Sequence, residues 1–211
     1  MNVSKLNLGW IAAYYNISCE LYPTFFSQLI NAADITVDVF SMSINERTKL
    51  KGLLEIISSS TEFETIPIRR HEDVVLRRIY DRVPVKTENA RYETPSFKAF
   101  LLLQAYFSRL QLPPDLVTDQ ALVLTKMVNL LHACVDVMAS NAFLNAMGAM
   151  DLAQMCVQAA WENDSPLKQI PHFEPELIKR CKSNGIESVY DLMEMEDDKR
   201  TKLLNMTPGQ L

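Results

Sequence analysis

The clearest element that the hydrophobic pattern predicts is one long helix over residues 116–143. Its apolar positions cover most of a helical circumference: Leu122, Leu124, Met127, Val128, Leu130, Leu131, Cys134, Val135, Val137 and Met138. Its polar positions recur every three or four residues and form one narrow stripe: Thr125, Asn129, His132, Asp136 and Ser140. The pattern therefore predicts a helix inside a helical domain, with one polar edge that faces water, a partner or a channel.

Helical periods also dominate the rest of the chain. The pattern predicts further helices over 7–15, 21–33, 45–58, 71–82, 96–110 and 145–161, with an extended segment or short strand over 35–40. Residues 163–166 (Asn-Asp-Ser-Pro), followed by Pro171 and Pro175, mark the predicted domain boundary. We expect a helical bundle over 1–164 and a smaller, more charged unit over 165–211, with helices at 174–182, 188–193 and 197–206.

Composition supports an all-α fold and limits the function. The chain has 211 residues, is 48% hydrophobic and contains only 5 glycines, so it can bury a large core and is unlike a turn-rich β fold. It carries 21 basic and 26 acidic residues, a net charge of −5. Domains that bind nucleic acid alone usually carry a basic excess, so any such contact here is local or shared. No apolar run reaches the length of a membrane span, and we expect no membrane partner.

The motifs of independent catalysis are missing from the sequence. It has no phosphate-binding P-loop, no dinucleotide glycine fingerprint and no His-Glu-x-x-His zinc motif. The four cysteines lie far apart without zinc spacing, which favours reduced thiols. Acidic runs at 72–73 and 194–198 open predicted helices, where the helix dipole favours them. We therefore expect no catalytic centre, no metal and no cofactor site in this chain.

Two features are candidates for contact with nucleic acid. The first is the polar stripe of the long helix, extended by Lys126 beside Asn129. The second lies in the smaller unit, where basic residues precede Asn184-Gly185 and Pro208-Gly209: Lys179, Arg180, Lys182, Lys199, Arg200 and Lys202. Turns that contain glycine between short helices can direct backbone N–H groups at phosphates. The alternative for both features is an ordinary solvated helix face.

Several strings along the chain form a recognisable set: LGWIAAYY from Leu8, FSMS from Phe40, RTKLKGLLEIIS from Arg47, IPIR from Ile66, LLLQA from Leu101, ACVDV from Ala133, DLAQM from Asp151, LKQIPHF from Leu167 and GIESVYDLMEMED from Gly185. Together they resemble the Sec63 domain, an accessory module that follows the motor of certain superfamily-two RNA helicases. The similarity covers nearly the whole chain except 19–34, which is either an atypical insertion or translated intron. It is strongest toward the C-terminal cassette of two-cassette spliceosomal helicases, and the chain is expected to be a fragment.

The resemblance implies a helical bundle followed by a helix-loop-helix unit. It implies that the long helix is the family's ratchet helix, which lines the channel for single-stranded RNA, with Lys126, Asn129 and His132 facing the strand. Active cassettes of the family tend to carry arginine on this edge, so Asn129 and His132 imply weaker phosphate contact and a more regulatory cassette.

The function implied by the resemblance is that of a non-catalytic accessory domain in a nuclear, spliceosomal RNA helicase. ATP and Mg²⁺ would belong to the helicase core, which this chain lacks. The implied partners are the motor domains of the same polypeptide, single-stranded small nuclear RNA and splicing-factor proteins. The alternative is a protein-interaction scaffold without RNA contact, as in a regulatory pseudo-helicase cassette or a translocation-type protein.

Overall fold

The computed structural model describes residues 10, 14, 15, 49–87, 90–140 and 146–205, and of Val137 and Ser140 only the backbone. Within these residues every element of regular secondary structure is a helix, which confirms the predicted all-α class. The α-helices are α1 (Leu50–Ser58), α2 (Glu72–Arg82), α3 (Pro95–Phe107), α4 (Pro114–Ser140), α5 (Ala146–Gln158), α6 (Pro175–Ser183), α7 (Val189–Glu194) and α8 (Asp197–Leu204). Two 3₁₀ helices lie at Thr61–Phe63 and Pro166–Gln169. The predicted helix over 21–33, the extended segment over 35–40 and the Asn45 cap lie outside the described residues.

The chain divides into two compact units, Met1–Ala159 and Ala160–Leu211. The predicted boundary, between 164 and 165, lies slightly further along the chain. Among the described residues, no helix combines the length and the apolar character that crossing a membrane requires.

Helix α3 is the most completely buried element of the first unit. The Thr94 hydroxyl accepts a hydrogen bond from the Phe97 N–H and caps the helix, while Pro95 occupies its first turn, where no N–H is needed. Every residue from Phe97 to Phe107 except Tyr106 is buried. Helices α1, α2, α4 and α5 all pack against α3, so it forms the centre of the bundle.

Helix α4 is the longest element and supplies most of the remaining core. It begins at Pro114, and its apolar side is buried along its length: Leu116, Val123, Met127, Leu130, Leu131, Cys134 and Met138. This side packs against α5, α3 and α1. Because a helix of this length reaches across the bundle, each side of α4 runs along the length of the bundle.

The second unit has its own small core. Its buried residues are Leu167, Phe173, Leu177, Cys181, Ile186, Leu192 and Leu204. Helices α6 and α7 are joined through Gly185, whose φ of +76° lies in the left-handed region that favours glycine. Ser188 and Asp191 cap α7 reciprocally, because each side chain accepts a hydrogen bond from the other residue's backbone N–H.

Candidate nucleic-acid interface

The outer face of α4 is the polar edge that the sequence pattern predicts. The side chains of Thr125, Asn129 and His132 are exposed, while that of Asp136 is half-buried. Toward the N-terminus the same face continues through Thr118 and Leu122, and Leu122 is 51% exposed although it belongs to the apolar set of the sequence pattern. We call Thr118, Leu122, Thr125, Asn129 and His132 the α4 edge. The edge is neutral and offers hydroxyl, amide and imidazole groups.

Lys126 is engaged in packing the bundle rather than in extending the edge. Its Nζ atom donates to the carbonyl oxygen of Glu62 at 2.8 Å and approaches Thr65 Oγ1 at 3.4 Å. The ammonium group therefore binds the C-terminal end of the 3₁₀ helix Thr61–Phe63, where carbonyl groups attract cations. Lys126 is the only lysine or arginine in Pro114–Ser140. The prediction that it adds charge beside Asn129 is not supported by this geometry.

At the C-terminal end of the edge, Tyr15 connects the start of the chain to α4. Its hydroxyl donates to Asp136 Oδ2 at 2.8 Å, and its ring lies 6.1 Å from the His132 ring, centroid to centroid. This hydrogen bond, together with burial, raises the pKa of Tyr15 to about 12. Asp136, which the sequence pattern places in the polar stripe, is therefore hydrogen-bonded to another side chain of the protein, that of Tyr15.

A buried ion cluster fixes the N-terminal half of α4 in the bundle. The Lys98 side chain is fully buried in α3, and its Nζ atom donates to Asp119 Oδ2 at 2.6 Å and to both carboxylate oxygens of Glu72 at 2.8 Å. It also donates to the Pro67 carbonyl oxygen at 2.7 Å. Arg69 completes the cluster by donating to both carboxylate oxygens of Asp119. Two cations face two carboxylates, so the cluster is neutral.

The cluster ties four segments together, because Glu72 lies in α2, Lys98 in α3, Asp119 in α4, and Arg69 in the connection before α2. Burial alone would raise the pKa of Asp119, but the hydrogen bonds from Arg69 and Lys98 outweigh it and hold that pKa below its usual range. The cluster therefore sets the position of the α4 edge without being part of it. Glu72, interpreted from the sequence as a first-turn acid, does open α2 and is in addition an ion-pair partner of Lys98.

The basic residues of the second unit divide into two groups. Lys179 and Lys182 are exposed on α6. Arg180 is exposed as well, but it donates from Nη2 to the carbonyl oxygen of Leu204 at 3.1 Å and so caps the last turn of α8. Of the three basic residues predicted on α6, Arg180 therefore has a backbone partner on α8, and Lys179 and Lys182 remain as exposed candidates.

The turn between α6 and α7 does not present N–H groups to a phosphate. The N–H groups of Asn184, Gly185 and Ile186 donate to carbonyl oxygens at the end of α6, at 2.9, 3.0 and 3.0 Å. Those of Glu187 and Ser188 donate to Asp191 Oδ2 at 3.0 and 2.8 Å, and these bonds lower the pKa of Asp191. The expectation of a phosphate cradle at Asn184-Gly185 is therefore wrong, because the helix ends satisfy those donors. The second turn, Pro208-Gly209, lies outside the described residues.

No three histidine, cysteine or acidic side chains in the described ranges come together to hold a metal ion. Cys134, Cys156 and Cys181 are free and buried, and burial raises the pKa of both Cys134 and Cys156 to about 12.

Three residues that position the edge were missed by the sequence reasoning: Lys98, Asp119 and Tyr15. Lys98 carried a signal, because a lysine flanked by Phe97, Ala99 and Phe100 at buried positions of an apolar helix needs an acidic partner. The identity of that partner could not be read from the sequence, since Asp119 lies 21 residues further along the chain, on another helix. Tyr15 carried no such signal.

The chain matches the family model described as "Sec63 Brl domain" over residues 5–196. The chain belongs to this family. Its relatives include the human "U5 small nuclear ribonucleoprotein 200 kDa helicase", 49% identical over the whole chain. They also include the Schizosaccharomyces pombe "Pre-mRNA-splicing factor brr2", 47% identical over 98% of the chain, and the Arabidopsis thaliana "DExH-box ATP-dependent RNA helicase DExH12", 44% identical over all of it.

The similarity to these relatives covers only a small part of each of them. The chain spans about 9% of the length of each of the three. The names of these relatives describe helicases or a splicing factor. The α4 edge therefore belongs to a Sec63 domain.

Proposed function

We propose that this Sec63 domain acts as a non-catalytic accessory domain of an ATP-dependent spliceosomal RNA helicase. In this role it braces the motor domains of the same polypeptide, lines the path of single-stranded RNA along the α4 edge, and offers docking surface to splicing factors in the nucleus. ATP and Mg²⁺ would be bound by the motor domains. The sequence lacks a P-loop, and this supports assigning nucleotide binding elsewhere.

The observation that carries the proposal is the combination of a rigid position and an exposed polar face. Lys98 and Asp119 anchor α4 in the core at 2.6 Å, whereas Asn129 and His132 on its outer face are exposed. A guiding surface for a moving strand must hold its shape while its contacts stay weak. A neutral edge of amide, hydroxyl and imidazole groups has that character, because it lacks the strong phosphate attraction of lysine or arginine.

Site-specific photocrosslinking tests the RNA path. A photoreactive phenylalanine analogue at Asn129 is expected to crosslink to single-stranded RNA bound to the intact chain. The matched control is the same analogue at Arg78, an exposed position on α2, which is expected to give no crosslink. Equal crosslinking at Asn129 and Arg78, or none at either position, would contradict the proposed path.

A protein-interaction scaffold without RNA contact is the second candidate, and α5 supplies the observation that favours it. Met147, Met150 and Val157 are 68%, 52% and 75% exposed on that helix, and exposed apolar side chains of this size favour contact with protein. Salt dependence separates the two functions. Binding through phosphates weakens steeply as salt rises, while an apolar protein interface changes little.

A further inference from the structure

Four aromatic rings form a continuous row beside the C-terminal half of the α4 edge. Trp10 and Tyr14 stack with ring centroids 5.0 Å apart and planes inclined by 18°. Tyr14 meets Tyr15 edge to face at 5.0 Å, and Tyr15 lies 6.1 Å from the ring of His132. The row therefore leads from the start of the described chain directly onto the exposed face of α4.

The rings of Trp10 and Tyr14, which are the two farther from α4, are open to solvent although they are large. Trp10 is 50% exposed and Tyr14 is 66% exposed. Both residues have helical backbone and lie four positions apart, which places them on one face. The row is held in position because the Tyr15 hydroxyl donates to Asp136 on α4 at 2.8 Å.

The chemistry of this surface suits nucleobases better than phosphates. The only lysine or arginine of α4, Lys126, binds the Glu62 carbonyl oxygen, so α4 itself supplies no unengaged cation to hold the RNA backbone. Flat, exposed aromatic faces bind bases of single strands by stacking, and they do so without regard to sequence. Asn129 and His132 add hydrogen-bonding groups next to the row.

We propose that Trp10 and Tyr14 form a stacking platform for the bases of single-stranded RNA at the C-terminal end of the α4 edge. The inference rests on the proposed function, since it assumes that RNA passes along this edge. It adds that the strand is held here through its bases. The contact then tolerates any sequence.

The test measures the affinity of the intact chain for a labelled single-stranded RNA of mixed sequence and for the same RNA carrying abasic positions. Trp10→Ala and Tyr14→Ala are each expected to weaken binding of the intact RNA by about 5-fold or more, the range for loss of one stacked base. Binding of the abasic RNA should not change. The matched control, Tyr190→Ala, removes an aromatic residue that is 78% exposed in the other unit and should leave affinity unchanged.

Two conservative variants separate stacking from folding. Trp10→Phe keeps a ring and should retain most of the affinity, whereas Trp10→Leu keeps apolar bulk without a ring and should behave as Trp10→Ala. The chain has 2 tryptophans, so fluorescence in a Trp161→Phe background reports on Trp10 alone. Stacking predicts that RNA quenches this fluorescence and that abasic RNA does not.

The outcomes distinguish the platform from the proposed function. RNA binding with a crosslink at Asn129, but with unchanged affinity in the Trp10 and Tyr14 variants, would overturn the platform and leave the RNA path intact. Absence of both RNA binding and the Asn129 crosslink would overturn both proposals. Unchanged RNA affinity together with lost binding to helicase motor domains would identify the rings as a protein contact and would also overturn the platform.

Discussion

At the scale of single residues, Lys98 is the most consequential side chain of the first unit. Its ammonium group is fully buried and bonded to Glu72 and Asp119. Replacing it leaves two carboxylates facing each other in the core without their main cation. We expect Lys98→Ala to lower the free energy of unfolding by about 3–5 kcal/mol, measured by urea denaturation.

An exposed ion pair provides the matched control for this variant. Lys51 lies 4.0 Å from Glu55 on the surface of α1, with side chains 52% and 39% exposed. Because solvent screens such a pair, Lys51→Ala should change the unfolding free energy by about 0.5 kcal/mol or less. Similar losses for Lys98→Ala and Lys51→Ala would contradict the role given to the buried cluster.

The same cluster predicts acid sensitivity. The bonds from Arg69 and Lys98 outweigh burial and depress the pKa of Asp119 in the folded state. Stability from this group is therefore complete above the unfolded pKa of about 3.9 and is lost as pH falls through the folded value. Urea midpoints should fall on acidification below about pH 4, and they should fall less steeply in Asp119→Asn. Parallel pH profiles of the urea midpoint for the wild type and Asp119→Asn would contradict this contribution of Asp119 to acid sensitivity.

At the scale of elements, a titrating hydrogen bond joins Tyr15 to Asp136 on α4. The pKa of Tyr15 is raised to about 12, chiefly because its hydroxyl donates to Asp136. A folded pKa above the unfolded value of about 10 means that the stabilisation is complete below pH 10 and is lost as pH rises through 12.

Ultraviolet titration of tyrosinate tests this bond. In the wild type, one tyrosine should ionise about two pH units later than an unperturbed phenol. Tyr15→Phe should remove that late transition and lower stability at pH 7 by about 1 kcal/mol. Tyr14→Phe is the control that should keep the late transition, and its persistence in Tyr15→Phe would show that another residue produces it.

The end of α5 carries a local strain that substitution can relieve. Helix α5 ends at Gln158, and Ala159 has a φ of +50°, in the left-handed region where a Cβ atom costs about 1–2 kcal/mol. Glycine removes that cost but loses more chain entropy. Ala159→Gly should therefore raise the unfolding free energy by about 0.5–1 kcal/mol in a thermal or urea melt.

The same substitution inside the helix should act in the opposite direction. Ala153→Gly, in the interior of α5, should destabilise the protein by about 1 kcal/mol, because glycine is a poor helix former. Destabilisation by Ala159→Gly would mean that the left-handed conformation is not strained at this position.

At the scale of the whole molecule, the sequence predicts the features that depend on the local spacing of apolar residues. The apolar repeats of α3 and α4 define helices and their buried sides because a 3.6-residue period is visible within a few turns. The exposed positions of Asn129 and His132 follow from the same repeat. The motif strings then indicate the family, since they recur along nearly the whole chain.

The sequence does not predict contacts between side chains that lie in distant segments of the chain. Arg69, Glu72, Lys98 and Asp119 meet only because three helices and a connection converge, and no local pattern encodes that meeting. The Gly185 turn shows the same limit, because its N–H groups satisfy the helix that precedes it. The basic residues that precede Gly185 therefore did not correctly predict a phosphate-binding site.

The central claim is that RNA runs along the α4 edge, and a charge placed on that edge tests it most directly. The measurement is the dissociation constant of single-stranded RNA for Asn129→Glu beside Gln154→Glu, which makes the same charge change at an exposed position on α5. We predict that Asn129→Glu weakens binding by about tenfold or more, through repulsion of the RNA backbone, while Gln154→Glu has little effect. Equal affinities in the two variants and the wild type would contradict the claim.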